Sequence, residues 1–332
     1  MTVLTVTPFE QFLDRHDDAA WARVVTSLLP SIHEVDRTAT QIWFHFYPLA
    51  LLRALQEAED PQKLAAELLL QGDYYLKDQI DSSHAFLYGH RFWPEVKREV
   101  VARASATNAS EDLAATIRDL ARSAAARAGR DESLLVGITA VALMTLQQVG
   151  LEAFKASPGA VVIGERAARK SPEQVLKERA RDDSQGLFGF LKTVDKEWTV
   201  TFDENDPRAR YKMKNATDLA YGAAEDRSRD WRAIDPRRIE GPIPVECRSA
   251  SCGTCWVGVL GGAEKLSDVS ARERKAMRLF GYTDTDEARP VIRLSCQARG
   301  TGAVSIVIPP WNGVFGKFLR EQSQAAAAKA SV

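Results

Sequence analysis

The stretch CRSASCGTC, running from Cys247 to Cys255, holds three of the chain's four cysteines in nine residues. The fourth, Cys296, follows after a gap of 40 residues, which gives the spacing C-x4-C-x2-C-x40-C with no thiol left over. Disulfides fit this pattern poorly. The N-terminal MTVLTVTPFEQF has neither a basic start nor an apolar export segment, and three cysteines on one tight loop are badly placed to pair with a single distant partner. Metal binding fits better. A structural zinc site takes two C-x2-C knuckles, and only Cys252-Gly-Thr-Cys255 has that form.

C-x4-C-x2-C with a distant fourth cysteine is the plant-type [2Fe–2S] spacing. Together with Trp256-Val-Gly-Val and Leu294-Ser-Cys296-Gln, the loop resembles a plant-type [2Fe–2S] ferredoxin domain over roughly residues 198–310. The resemblance implies a β-grasp fold, a small mixed sheet embracing one helix, with one [2Fe–2S] cluster in a surface loop. It also implies that Cys247 and Cys252 hold the outer iron and Cys255 and Cys296 the inner one.

The loop's other residues have a physical reason of their own. Two ferric ions, two sulfides and four thiolates sum to a charge of about −2, or −3 once reduced, so the protein must stabilise buried negative charge. Ser249, Ala250, Ser251, Gly253 and Thr254 are small, which lets the backbone that they share with Arg248 wrap the cluster and aim N–H groups at sulfur. Ala250 stands where the family often has glycine, a small matter if its φ is negative.

Outward from the loop, Trp198–Phe202, Trp256–Leu260, Val291–Leu294 and Ala303–Ile308 read as strands, and Ser270 to Phe280 as one helix. Asp226 to Glu240 reads as an insertion ahead of the loop, enlarging the surface around the cluster. Residues 198–332 hold 21 Lys+Arg against 17 Asp+Glu, a weak positive balance that argues neither for nucleic acid nor for the acidic docking mode of many plant-type carriers.

The first 190 residues read as helical, five to seven helices forming a bundle. In PQKLAAELLLQG, Pro61 opens a helix and Gly72 is the expected stop. A second helix is expected from an N-cap at Ser110, with Glu111 and Asp112 in its first turn and Leu113, Ile117, Leu120 and Ala124 as its stripe, ending at Gly129. A third starts near Asp131 and stops before Ser157-Pro158-Gly159, and a fourth begins at Ser171-Pro172. The apolar run Leu134 to Leu146 is too short to span a bilayer and reads as a buried core helix. The C-terminal QSQAAAAKASV reads as frayed.

All five histidines, His16, His33, His45, His84 and His90, lie in this half. On one helix His84 and His90 would point about 120° apart, so they would not share a metal. His84 reads as a core histidine bonded by Asp81 three residues before it. A haem or di-metal site shared by facing helices, for instance His45 with His84, is the competing reading.

No dinucleotide fingerprint, Walker A loop or nucleophile elbow is present. The expected protein is therefore two-domain α+β: a helical docking domain over 1–192, a [2Fe–2S] ferredoxin-like domain over 193–312 and a tail over 313–332. Its expected role is one-electron transfer in the cytoplasm, as a relay or accessory subunit of a larger oxidoreductase rather than a stand-alone enzyme. Redox proteins are its expected partners, a donor and an acceptor, with no nucleic acid and no transmembrane segment. The alternatives are an iron-sulfur redox sensor, or an oxidoreductase with a second metal or haem in the helical domain.

Overall fold

The structure, a computed structural model, describes residues 6–106, 112–182 and 196–330. Ser110, Glu111 and the expected boundary at 192 lie outside those residues. Contacts divide the chain into two compact units, Met1–Arg53 with Tyr75–Glu173, and Ala54–Tyr74 with Gln174–Val332.

In the first unit, the helix Ser133–Val149 runs through the middle of its neighbours Pro8–Asp14, Glu34–Phe46, Trp93–Ala104 and Leu113–Ala128. Every residue from Leu134 to Leu146 is buried, which is why this segment is apolar on all sides. Among the described residues, no helix is long and apolar enough to cross a membrane. The helix Leu113–Ala128 buries the expected stripe and ends at left-handed Gly129, but its N-cap is Asp112 and not Ser110: the Asp112 carboxylate accepts the Ala115 N–H at 2.6 Å. The third expected helix is two, Ser133–Val149 and Leu151–Ala156, because Gly150 takes φ +79 between them.

The second unit is built on a five-stranded mixed sheet. Its strands are β2 (Glu197–Thr201), β3 (Arg210–Lys214), β4 (Trp256–Gly261), β5 (Ile292–Leu294) and β6 (Val304–Val307), in the order β3-β2-β6-β4-β5. Only β2 and β6 run parallel. Between β4 and β5 the helix Ala271–Phe280, capped by Ser270, buries Glu273, Ala276, Met277 and Phe280.

Ala54–Tyr74 groups with this sheet unit and not with the other helices. Its strand β1 (Gln71–Gly72) pairs antiparallel with β7 (Trp311–Asn312). The helix Pro61–Glu67 ends before Gly72, the expected stop. Leu69 takes the left-handed position at φ +54, while the N–H groups of Leu69 and Leu70 bond the Ala66 and Ala65 carbonyls at 3.1 and 2.9 Å. That is a Schellman ending with leucine where glycine is the norm. The expected frayed tail is helical from Gly316 to Ala330.

Candidate metal centre

Cys255 immediately precedes β4 and Cys296 follows β5 by two residues, so the register that pairs Trp256 with Leu294 brings these two thiols together. The Ser295 N–H donates to the Cys255 carbonyl at 2.8 Å and fixes that approach. Both thiols are buried, whereas Cys247 and Cys252, on the loop ahead of β4, are partly exposed. Cys247 bonds Cys252 and Cys255 bonds Cys296, and Cys247 and Cys296 are also within electrostatic reach of one another. Among the described residues, no three His, Cys, Asp or Glu side chains gather as a single-ion site.

The loop backbone turns inward. Its N–H groups at Ser249 and Ser251 donate to Cys247 Sγ at 3.4 and 3.3 Å, and the Ala250 backbone faces the Cys296 thiol. Thr254 Oγ1 lies 3.1 Å from Cys252 Sγ, and Gln297 Nε2 donates to Cys296 Sγ at 3.4 Å. This convergence needs left-handed backbone at Arg248, Ala250 and Gly253, with φ of +51, +57 and +77. The condition of a negative φ at Ala250 is therefore not met, and its Cβ costs on the order of 1 kcal/mol. At Gly253 a Cβ would also come within 3.1 Å of the Phe280 ring, so only glycine fits there.

The electrostatics follow the pairing. Burial pushes the Cys247 thiol up, but hydrogen bonds from Ser251, Ser249 and Cys252 outweigh it and bring the group down to about 6. Cys252 is raised, chiefly by burial. The hydrogen bond between Cys296 and Cys255 brings Cys296 down to about 7 and, together with burial, holds Cys255 well above the usual thiol range. Each pair thus contains one readily formed thiolate, the state in which sulfur binds metal. Four thiols paired two and two, with N–H donors on the sulfurs, suit a two-iron cluster, in which each iron takes two cysteines.

Three supports were not read from the sequence. Arg248 is held by an ion pair with Glu240, which ties the segment 226–240 to the loop. That segment is anchored by buried Trp231, whose ring meets Phe202 edge-on at 5.7 Å. Tyr282 is the third: its ring stacks on Trp256 at 4.0 Å, and its hydroxyl lies 2.6 and 2.9 Å from the Gly253 and Gly313 carbonyls. No motif spacing announces such a clamp, because its partners lie 29 and 31 residues away. Tyr282→Phe keeps the stacking but removes the one O–H that those two carbonyls share and the oxygen that accepts the Gly313 N–H at 3.3 Å. The variant is expected to lose about 1–3 kcal/mol in urea unfolding of this unit. An unchanged urea midpoint would mean that the hydroxyl is not a clamp.

The histidine expectations are corrected here. Residues 80–86 form turns instead of a helix, so the separation around a helix axis does not apply. His84 Nδ1 and His90 Nδ1 meet at 2.9 Å. Asp81 does not bond His84; it accepts from Trp93 Nε1 and the Gly159 N–H, both at 2.7 Å, and from Ser157 Oγ at 3.0 Å.

No solved structure matches the chain. Residues 236–301 match the family model of the 2Fe-2S iron-sulfur cluster binding domain, so the chain carries that domain and, with it, one [2Fe–2S] cluster.

Proposed function

We propose that this protein is a one-electron carrier whose cluster is held by Cys247 and Cys252 on one iron and Cys255 and Cys296 on the other, within a β-grasp fold. The observation that carries the reading is the pairing of the thiols, one pair partly exposed and one buried, on a loop whose N–H groups point at sulfur. Such a cluster, when bound, supplies the gain and loss of a single electron with no atom transferred. The chain's own part is to stabilise the added negative charge with N–H donors, to exclude water from the Cys255–Cys296 side and to leave the Cys247–Cys252 side open to a partner. The lack of any nucleotide-binding motif in the sequence favours a relay or accessory subunit, working between redox proteins, over a self-sufficient reductase.

Anaerobic purification with iron and sulfide assays, and EPR spectra before and after dithionite, tests this. About two irons and two sulfides per chain with a half-spin signal on reduction are expected. Cys296→Ser, which removes a ligand from the buried pair, is expected to abolish or strongly shift that signal. Zinc without sulfide in the purified protein would overturn the reading.

A further inference from the structure

Beside Cys252 the second unit has an open groove of about 710 Å³. Its walls come largely from outside the matched segment 236–301: Leu68, Leu69, Val314 and Phe318 line it together with Leu279 and Phe280. Two of these residues break the usual rules. Leu69 is 59% exposed and Leu279 45% exposed, although most large apolar side chains among the described residues are covered. Leu69 also occupies the left-handed C′ position at φ +54, where glycine would relieve the strain and asparagine would be tolerated. A leucine that is both strained and solvated gains nothing for the fold, so its side chain is needed for something outside the chain.

Although residues 198–332 are weakly basic overall, the groove's own charged lining, Glu67, Glu246, Glu321 and Lys317, is net acidic. Lys317 is engaged by Glu321 at 3.6 Å, which leaves Glu67 and Glu246 as uncompensated carboxylates beside the groove. An apolar floor and rim with excess negative charge is complementary to a protein surface with an apolar projection ringed by lysine or arginine. The position beside Cys252 makes that protein the one exchanging the electron.

We infer that this groove docks a basic electron-transfer protein, with Leu69 and Leu279 as the apolar anchors and Glu67 and Glu246 as the steering charges. The inference rests on the one-electron reading above. It adds that residues outside the cluster domain choose the partner.

Ferricytochrome c, a basic one-electron acceptor with an exposed apolar haem edge, is the probe. One electron leaves the dithionite-reduced protein and takes the haem iron from ferric to ferrous, with no proton moved. Leu69→Gly is expected to slow this reaction about tenfold or more, the scale of an interface anchor, while its urea midpoint stays the same or rises and its iron content holds. Leu279→Gln is expected to act in the same direction and covers the case of a poorly folded Leu69 variant. Glu67→Gln with Glu246→Gln is expected to flatten the dependence of the rate on ionic strength. Binding of zinc-substituted cytochrome c, which accepts no electron in the dark, is expected to weaken in parallel. Wild-type rates and binding in both leucine variants, or no binding by the wild-type protein, would overturn the groove inference. Oxidation by the small complex tris(phenanthroline)cobalt(III) separates the two levels. If that reaction proceeds, the relay reading survives a failed groove; if the reduced protein cannot pass an electron even to the cobalt complex, the relay reading itself fails and the groove loses its basis.

Discussion

Glu273→Ala is expected to destabilise the iron-sulfur unit by about 3–5 kcal/mol, the cost of leaving one member of a buried ion pair unpaired. Glu273 and Arg293 are each about 1% exposed at the side chain and meet through two bonds of 2.8 and 3.0 Å. Arg293 also donates to the Ser267 carbonyl at 2.7 Å, and Glu273 accepts the Leu294 N–H at 3.0 Å. One carboxylate therefore holds β5 against the helix Ala271–Phe280, two residues before Cys296. Removing it strands a guanidinium in the core and frees the strand that positions the buried thiol pair.

Hydrogen exchange at the β4, β5 and β6 amides across a urea series isolates this unit's transition from that of the helical unit. Glu273→Ala should lower the midpoint there and reduce retention of iron. Replacing both partners, Glu273→Met with Arg293→Leu, should recover most of the stability, because the stranded charge is gone and the volume stays filled. If the single and double variants are equally unstable, packing rather than charge accounts for the effect.

Where the sequence could be read, the signal was local. The thiol spacing is written in contiguous residues, and β2, β4, β5, β6 and the helix after Ser270 each carry their own apolar pattern. The strand β3, Arg210–Lys214, was missed although it alternates exposed and buried residues, because only Tyr211 and Met213 supply the apolar half of the pattern. β1 and β7 have two residues each and are defined only by pairing with one another. The helix stop at Leu69 escaped for a different reason. The glycine rule pointed to Gly72, whereas the chain turns at a leucine that the rule disfavours. Tyr282 and the Glu273–Arg293 pair act across 20 to 31 residues of sequence through contacts that exist only once the sheet has formed.

The His84–His90 contact is expected to make the helical unit lose stability as pH falls from about 6.5 towards 4. Burial, with Arg91 nearby, brings His90 down to about 4 despite the opposing pull of Asp81. Burial and the neighbouring His90 hold His84 well below the usual imidazole range. The Nδ1···Nδ1 contact of 2.9 Å requires one ring to donate and the other to accept, so the two rings cannot both be protonated, and burial holds both neutral near pH 7. His84 Nε2 has no hydrogen-bond partner, the His84 ring lies 4.0 Å from that of Trp93, and Lys97 stands 3.7 Å from Asp81 on the same side of the unit. A proton added to the accepting ring removes the shared bond, and one added to either ring introduces a buried cation near Arg91 and Lys97, with Asp81 already committed to Trp93, Ser157, Gly159 and Lys97. In the unfolded chain both rings protonate near 6.5, so the unfolded state binds more protons below that pH and stability drains away with acid. Full stability is present above about 6.5. For His90 alone the loss by pH 4 is about 3 kcal/mol, and His84 adds to it in the same direction. The interval from pH 6.5 to 5 is diagnostic, because carboxylates contribute little there. Urea unfolding of the helical unit at pH 7.5, 6, 5.5 and 5 should show a falling midpoint in the wild type and a flatter one in His90→Asn. A midpoint that stays level down to pH 5 in the wild type would show that these rings titrate normally, and the neutral pair would have to be abandoned.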